Sequence, residues 1–386
     1  MDRRLVSSPL GEFVPVTGHD RRYDERYDHV AFMPHPLPDQ VELGSATWTG
    51  LTNAQAAIAR LDGAVSELPD PTLLVRPLIR REAVSTSALE GTYTGFGELL
   101  GAEASRKEQS GDLREVLNYV RATEHGVRRL DELPVCMRLL SEAHVLLLDG
   151  VRGDSWELGA LRSTQNWIGD VDCRIAEAAF VPPPPEALNE LLSSWENWIH
   201  RNDLPLLVRV AMGHYQFETI HPYTDGNGRL GRLLSLLQLI EGGLLRDHLM
   251  TISGFFEADK PAYTGHLQRV RETGQFDAWI RYFCRALEKS AIESLDRIRQ
   301  AQEHARQAVS RLRSEGVRGT AIQIAEDLVG YPLLTVTDVE QRYQLTYQTS
   351  NQAVTRLVDL GVLEQISQGN YNRVFASRVI LDVFRM

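Results

Sequence analysis

The sequence contains few cysteines, no long apolar run and no excess of positive charge. Its three cysteines, Cys136, Cys173 and Cys284, are far apart and form no CxxC pair. This spacing excludes a disulfide framework and a cysteine-based zinc site, and it is typical of a reducing compartment. No run of about 18 apolar residues occurs, and the N-terminus lacks the apolar stretch of a signal peptide. We therefore expect a cytoplasmic protein that is not inserted in a membrane.

Acidic side chains outnumber basic ones in this sequence. The 386 residues include 52 acidic and 41 basic side chains, for a formal net charge of −11. Proteins that coat nucleic acids use a basic surface to displace counterions, so this balance excludes a general nucleic-acid coat. The negative net charge still allows one local basic groove. The length allows two or three domains, and a hydrophobic content of 43% is ordinary for a globular protein.

Most of the chain has the apolar spacing of helices. The predicted helices begin near residue 52 and continue with one that ends at Gly91, followed by 111–130, 136–149, 186–200, 205–220, 229–241 and 276–313. Residues 1–45 show little periodicity, which predicts an extended arm or a partly ordered tail. We therefore predict a mainly α protein, with an N-terminal arm and helical region over 1–110 and a helical core over 111–315.

Residues 162–185 interrupt the helical pattern. They hold aromatic and branched residues around a "GDVD" turn and end in four consecutive prolines. This pattern predicts a β-hairpin followed by a rigid polyproline segment.

The last segment, 332–386, has a third pattern. It predicts a helix from near Thr337, a second helix from about Thr346 to Leu360, and two short strands around "QGNY". Helix, turn, helix and a two-stranded wing form a winged-helix domain. From residue 331 onwards five acids balance five arginines, so little charge is available to attract DNA. Binding of DNA, docking of a protein and formation of a dimer all stay open for this domain.

A polar loop between two apolar helices carries the main indication of function. In "ETIHPYTDGNGRLGRLL", residues 218–234, Pro222 prevents the first helix from continuing. Gly226, Asn227 and Gly228 tolerate left-handed backbone and let main-chain N–H groups point into one concavity. A new helix begins at Arg229, so the loop lies on a helix N-terminus, which favours an anion.

The charged residues of this loop suit a polyphosphate. Arg229 and Arg232 are three residues apart, on one face of the first turn, and each guanidinium can bind phosphate oxygens bidentately. Asp225 would repel phosphate unless a divalent cation such as Mg²⁺ lies between them. His221 is the group that titrates near neutrality, and it lies where a nucleophile could approach. Together these residue types indicate a site for nucleotidyl or phosphoryl transfer.

Two other motifs share parts of this string. An EF-hand calcium loop would need an acid at Tyr223 and a glutamate at Leu234, so we reject it. A Walker phosphate loop would need GKS or GKT after the glycines, and neither is present.

The whole string "HPYTDGNGRLGR", residues 221–232, resembles the signature of the Fic family, HxFx(D/E)GNGRxxR. It departs at Tyr223, where phenylalanine is usual, and that ring can still anchor the loop if its hydroxyl finds a partner. The resemblance implies a Fic-type helical core and Mg²⁺-dependent transfer of AMP from ATP to a Ser, Thr or Tyr of a protein, including possible self-modification within a homo-oligomer. It implies His221 as the general base and Asp225 as the Mg²⁺ ligand.

The same resemblance assigns the remaining residues of the loop. Gly226, Asn227 and Gly228 would form the anion hole, and Arg229 and Arg232 would bind the β- and γ-phosphates.

Three further stretches resemble the family. "TSALEG", residues 86–91, is similar to its inhibitory motif (S/T)xxxE(G/N), which implies that Glu90 pairs with Arg232 and displaces the γ-phosphate. A solvated glutamate at a helix end is the alternative. The hairpin 162–185 resembles the flap that docks the target's main chain, the alternative being a purely structural hairpin. "KPAYTGHL" resembles the segment that reaches the nucleotide base, so Tyr263 would stack on adenine or else lie in the core.

Two other functions stay open. One is a different reaction on the same fold, namely UMP or phosphate transfer or removal of AMP. The loop determines how phosphates are bound but not which nucleotide base is recognised. The other is a transcription regulator whose core only senses nucleotide.

Overall fold

The computed structural model describes residues 8–66, 70–105, 111–151, 158–367 and 373–385. Its helices are α1 Ser45–Ser66, α2 Thr72–Leu89, α3 Phe96–Ser105, α4 Gly111–Arg129, α5 Met137–Leu147, α6 Leu188–Ile199, α7 Leu206–Ile220, α8 Asn227–Glu241, α9 Ile252–Ala258, α10 Lys260–Thr273, α11 Asp277–Ser314, α12 Thr320–Asp327, α13 Val336–Tyr343, α14 Tyr347–Asp359 and α15 Arg378–Phe384. The strands are β1 Gly11–Asp20, β2 Glu25–Pro34, β3 Leu333–Thr335, β4 Glu364–Gln365 and β5 Val374–Ala376. The prediction of a mainly α fold is confirmed.

Helices α7 and α8 form the centre of the core. Nearly every residue of both helices is buried, from Leu207 to Ile220 and from Asn227 to Leu239. A helix that is buried on all sides needs packing partners all round it. Those partners include α4, α5, α6 and α11, and the 38-residue α11 also packs along α1. The loop between α7 and α8 is therefore held at both ends by the most deeply buried part of the molecule.

The prediction of an arm or tail over residues 1–45 is wrong for residues 11–34. They form an antiparallel hairpin in which Gly11 pairs with Pro34 and Asp20 pairs with Glu25. The charged stretch around the turn, where Asp24 adopts a positive φ, hides the alternation that identifies a strand pair. Apolar residues of β1 and β2 pack against residues 175–181, as the buried cluster of Val16, Ala31, Ile175 and Val181 shows.

The hairpin predicted over residues 162–185 is present only as one bridged pair. Ile168 and Phe180 exchange both backbone hydrogen bonds, and a short 3-10 helix lies between them at Ile175–Glu177. The ladder cannot extend beyond this pair because Pro182 and the prolines after it have no N–H to donate. The Val181 carbonyl instead accepts a hydrogen bond from the Phe32 N–H, so β2 continues the pairing on the other side.

The C-terminal segment contains the helices α13 and α14 and a three-stranded sheet in the order β3-β5-β4. Thr335 and Asp338 form a capping box that begins α13. Part of the predicted wing, the "QGNY" stretch, lies outside the described residues. The winged-helix class, the roles considered for it and the three domain boundaries remain predictions.

The C-terminal segment is fastened to the rest of the chain. Arg81 in α2 donates to the carbonyls of Phe384 and Arg385, and Phe384 packs on Phe96 of α3. Across the described ranges, no helix combines the length and the apolar character needed to span a membrane.

Phe32 connects the N-terminal hairpin to the segment around Phe180. Its ring is 1% exposed and lies between Phe13 and Phe180. We expect Phe32→Ala to lower the free energy of unfolding by about 3 kcal/mol, because it removes buried apolar area and leaves a cavity. Urea denaturation measures this loss. The control Val171→Ala, at a side chain that is 93% exposed, should stay within about 0.5 kcal/mol of the parent. A loss no larger than that of the control would show that the hairpin does not unfold with the core.

Candidate functional site

The loop adopts two left-handed turns that set its shape. α7 ends at Ile220, and the next residue, His221, has a φ of 51°, which is uncommon for a residue with a side chain. α8 begins after Gly226, which has a φ of 77°. Between these two residues the chain reverses, so that α8 packs back against α7.

The side chain of Asn227 closes the loop. Its Oδ1 accepts from the Tyr223 N–H at 2.9 Å, and its Nδ2 donates to the Tyr223 carbonyl at 2.7 Å. The amide is therefore committed to the backbone of Tyr223. The side chain of Asn227 is thus not available to an anion, and only its backbone N–H, in the first turn of α8 where N–H groups have no intrahelical partner, could take the part predicted for it.

Tyr223 anchors the loop in the core. The ring is fully buried, and its hydroxyl lies 3.2 Å from the Ser141 hydroxyl, so the partner expected for a tyrosine at this position is present. The ring also stacks on His144, with 4.0 Å between the ring centroids. Tyrosine therefore replaces phenylalanine here without leaving an unpaired buried hydroxyl.

His144 of α5 holds the loop through hydrogen bonds, a role that the sequence did not indicate. The Gly159 N–H donates to Nδ1 at 3.0 Å, which requires that Nε2 carry the proton, and Nε2 donates to the Asp225 carbonyl at 3.1 Å. Burial lowers the pKa of this imidazole. A histidine on a helical pattern usually has a structural role, and no local feature of the sequence linked this one to a loop some 80 residues away.

Arg232 is buried and held by α2. Its Nη2 lies 2.6 Å from the Glu90 Oε1 and 3.0 Å from the Thr86 carbonyl, and its Nε donates to the Thr86 hydroxyl at 2.7 Å. The ion pair expected between Glu90 and Arg232 is therefore present in this structure. Partial burial would raise the pKa of Glu90, but the charges of Arg232, Arg229 and Lys260 bring it below its ordinary value, and the carboxylate is ionised near neutrality.

The Glu90 carboxylate also lies against the predicted anion hole. A Cβ atom built on Gly228 would come within 2.2 Å of the Glu90 Oε1. Only glycine leaves space for the carboxylate at this position. The first turn of α8 therefore faces a negative charge that α2 supplies.

Arg229 has a carboxylate partner of its own. Its Nη1 lies 3.0 Å from the Glu115 Oε2, and the guanidinium lies 3.7 Å from the Asp225 Oδ1. Glu115 belongs to α4 and also accepts from the Thr92 hydroxyl. Nothing in the sequence pointed to Glu115, because it lies more than 100 residues before the loop and belongs to no recognisable motif.

His221 carries a neutral imidazole. Burial and the positive charge of Arg162 lower the pKa of His221 to about 4, so the imidazole is neutral at pH 7. Its Nδ1 is buried. A neutral imidazole in a partly water-excluded position can accept a proton from a hydroxyl.

Asp225 is the accessible carboxylate of the loop. Its side chain is 62% exposed, and Oδ1 accepts from the Gly226 N–H at 2.6 Å. In the described part of the chain no group of three or more His, Cys, Asp or Glu side chains could hold a metal ion by itself. A single carboxylate fits Mg²⁺, which binds one or two protein carboxylates together with substrate phosphates and water.

Tyr263 does not occupy the position expected of a residue that contacts a nucleotide base. It is 5% exposed, stacks on Phe256 with 4.5 Å between ring centroids, and its hydroxyl donates to the His214 Nε2 at 2.7 Å. A ring enclosed in this way is not free to stack on a ligand. The structure therefore supports the alternative interpretation of Tyr263 as a core residue.

The fold and the site define a class of helical proteins in which a buried hairpin of two helices presents a glycine-rich anion cradle beside a neutral histidine. The Fic/DOC family N-terminal model matches residues 48–128, and the Fic/DOC family model matches residues 134–239. The chain therefore contains a Fic N-terminal region and a Fic domain.

Curated relatives carry the name protein adenylyltransferase. The chain is 29% identical over 185 residues to protein adenylyltransferase Fic of Nematostella vectensis, a match that covers 46% of this chain and 37% of the relative. It is 39% identical over 97 residues to a probable protein adenylyltransferase of Aquifex aeolicus, covering 24% of this chain and 30% of that one. The matched region thus spans about a third of the length of these relatives.

Solved structures share the fold. A Fic family protein from Desulfovibrio desulfuricans G20 superposes with a TM-score of 0.55 at 20% identity and covers 89% of this chain and 98% of its own. A Fic domain containing signaling protein from Bacteroides thetaiotaomicron superposes with a TM-score of 0.50 at 21% identity, covering 64% of this chain and 95% of its own.

Removal of the Asn227 side chain tests how the loop is closed. We expect Asn227→Ala to lower the free energy of unfolding by about 2 kcal/mol, because two hydrogen bonds to the buried Tyr223 backbone are lost. Urea denaturation gives the loss, and Asn202→Ala at an exposed position serves as the matched control. Equal stability of the two variants would show that the loop keeps its shape without the amide.

Proposed function

We propose that the protein transfers AMP from ATP to a hydroxyl side chain of a protein in a Mg²⁺-dependent reaction. The observation that supports this most directly is the arrangement of the loop. A neutral His221 and the first turn of α8 flank one small region, and Arg229 and Arg232 extend from the same turn. The match to the Fic/DOC family model and the names of the curated relatives point to the same reaction.

The reaction makes and breaks one bond at the α-phosphorus of ATP. The target hydroxyl oxygen attacks this phosphorus, the bond from the α-phosphorus to the oxygen that bridges it to the β-phosphate breaks, and diphosphate leaves with the bonding electrons. His221 takes the hydroxyl proton. The backbone N–H groups of 226–228 stabilise the charge that develops on the phosphate oxygens.

Asp225 is the proposed protein ligand of Mg²⁺. Its exposed carboxylate adjoins the cradle, and the remaining ligands would be phosphate oxygens and water. Bound there, Mg²⁺ neutralises phosphate charge. Arg229 and Arg232 bind the β- and γ-phosphates once they are released from their carboxylate partners.

The proposed resting state is inhibited. The Glu90 carboxylate occupies Arg232 and borders Gly228, so it repels a γ-phosphate and keeps the guanidinium away from it. Glu115 occupies Arg229 in the same way. Release of Glu90 would therefore have to accompany productive ATP binding.

The segment 162–185 is the proposed docking site for the target protein. The Ile168–Phe180 bridge occupies one edge of the backbone at Ile168, and the other edge faces away from Phe180. An extended segment of the target can pair with that edge. Self-modification, assembly of a homo-oligomer and a role for the C-terminal segment in partner binding remain predictions of the same kind.

Transfer of label tests the reaction and its control by Glu90 together. The protein is incubated with Mg²⁺ and ATP labelled at the α-phosphate, as wild type, Glu90→Gly and His221→Ala. We expect the strongest labelling of protein in Glu90→Gly. His221→Ala in the Glu90→Gly background should lower the rate by about 10²–10⁴-fold, the usual contribution of a general base.

Other outcomes separate the alternatives. Omission of Mg²⁺ or its replacement by EDTA should abolish labelling. If none of the variants transfers label to itself or to proteins of a cell extract although ATP binds, the proposal of AMP transfer is wrong. Label from UTP or from the γ-phosphate of ATP would identify one of the other reactions of this fold.

Loss of the Glu115 charge should strengthen nucleotide binding. Glu115→Gln keeps the shape of the side chain but removes a negative charge beside Arg229, so we expect the Kd for an ATP analogue with a methylene group between the α- and β-phosphorus to fall roughly five- to tenfold. Isothermal titration calorimetry with Mg²⁺ measures this. Glu132→Gln, at a surface ion pair with Arg129, is the control and should not change the Kd. Weaker binding in Glu115→Gln would mean that the carboxylate orients Arg229 for the phosphate and does not compete with it.

A further inference from the structure

Arg162 is a buried arginine at the start of the flap segment 162–185. It is 2% exposed, and its guanidinium donates to backbone carbonyls on two separate parts of the chain. Nε donates to the His221 carbonyl at 2.9 Å, and Nη2 donates to the Pro183 carbonyl. The Arg162 backbone N–H also donates to the Pro222 carbonyl at 3.0 Å. One residue thus connects both ends of the flap to the beginning of the 221–226 loop.

Two of the carbonyls that Arg162 approaches, those of Ile220 and His221, lie at the C-terminal end of α7. The last carbonyls of a helix have no intrahelical donor, and Nη2 also approaches the Ile220 carbonyl at 3.5 Å, at the end of α7. A planar guanidinium can donate to several carbonyls at once, whereas a lysine ammonium bonds them without a fixed geometry. In the described part of the chain Arg162 forms no ion pair with a carboxylate. A buried charge that binds only carbonyls has a solvation cost, which these hydrogen bonds must offset.

The contact with Arg162 constrains the backbone of His221. His221 has a positive φ of 51°, and such a conformation persists only where its surroundings hold it. The hydrogen bond to the His221 carbonyl directs that peptide group and with it the Cα–Cβ bond. The position of the imidazole therefore depends on Arg162.

The charge of Arg162 acts on His221 as well. It lies among the groups that face this imidazole. The charges of Arg162 and Arg271 disfavour protonation, while the charge of Glu90 and a hydrogen bond to the Glu218 backbone favour it. After burial itself, Arg162 has the largest effect in lowering the pKa of His221. Arg162 thereby helps to keep the imidazole neutral.

We infer that Arg162 is a positioning residue that holds His221 and the flap in one fixed geometry, so that a hydroxyl docked on the flap meets the imidazole in line with the nucleotide. This inference rests on the function proposed above, in which His221 is the base and the flap docks the target. Arg162 itself does not contact the reacting atoms.

Two substitutions separate the geometry from the charge. Arg162→Lys keeps a positive charge but loses the planar guanidinium that donates to several carbonyls at once. Arg162→Met removes both the charge and these donors. Arg209→Lys is the matched control, because Arg209 is half-buried and donates to the Ile199 carbonyl far from the loop. Hydrogen exchange followed by mass spectrometry is measured on the full chain without nucleotide.

We expect Arg162→Lys to raise amide exchange several-fold in two segments together, 164–183 and 218–228. Arg209→Lys should leave both segments unchanged. Faster exchange in the flap alone, with 218–228 as in wild type, would overturn the inference.

The second measurement is the titration of His221 by NMR with ¹³C-labelled histidine, assigned by its loss in His221→Ala. We expect its pKa to rise in Arg162→Met and to rise less in Arg162→Lys, which retains the charge. A purely structural role for Arg162 predicts the same change in both variants. If Arg162→Met does not fold, Arg162→Lys and its exchange pattern still decide the question.

Transfer assays in the Glu90→Gly background complete the test. We expect Arg162→Lys to lower kcat at least tenfold while the Kd for the methylene-bridged ATP analogue stays within twofold. An unchanged kcat beside an active Glu90→Gly parent would overturn the inference. If the parent shows no transfer at all, the proposed function fails, whereas the exchange and titration results still report on the coupling of the flap to His221.

Discussion

Two buried guanidiniums on the first turn of α8 organise the centre of this protein. Arg229 and Arg232 are 3% and 2% exposed, and a charge buried to this degree is costly unless it is paired and hydrogen-bonded. α4 supplies Glu115 to the first arginine, and α2 supplies Glu90 and Thr86 to the second. Asp225 is the one acidic neighbour close in sequence, at 3.7 Å from Arg229, so the N-terminal segment supplies the closer carboxylates that both arginines bind.

The same requirement explains how such a core can be regulated. A phosphate chain carries the oxygens that a guanidinium prefers, so it can replace the two carboxylates without leaving either arginine unpaired. In the proposed function the carboxylates and the nucleotide then compete for the same donors. The buried guanidiniums require anionic partners, which carboxylates supply in the resting fold and phosphates would supply in the complex. Any event that shifts α2 would alter this competition.

Around this centre, the loop and the flap are held mainly through the backbone. Asn227 binds the backbone of Tyr223, His144 binds the Asp225 carbonyl, and Arg162 binds the carbonyls of His221 and Pro183. The N-terminal hairpin adds a further hydrogen bond, from Phe32 to Val181. Backbone contacts of this kind determine the shape of a site without limiting which side chains it displays.

What the sequence determined by itself is local. The bounds of helices such as α4, α7 and α11 followed from apolar periodicity, whereas the shorter α3, α9, α12 and α15 and also α10 were not predicted. The loop of residues 221–232 was recognisable because its chemistry lies within one short stretch. The pairing of Glu90 with Arg232 was also anticipated, although only through resemblance to a family. By contrast, the ionic environment of the site, with Glu115 on Arg229, could not be anticipated from spacing.

Only the tertiary structure decided the contacts that join distant segments. It showed the strands of the N-terminal hairpin, which were hidden by a charged turn, and it enclosed Tyr263 against Phe256 instead of leaving it open to a ligand. It also brought Arg162 and His144 to the loop. Periodicity reports which face of an element is buried, but the partner on that face depends on how the helices cross, and that is set by packing over the whole core.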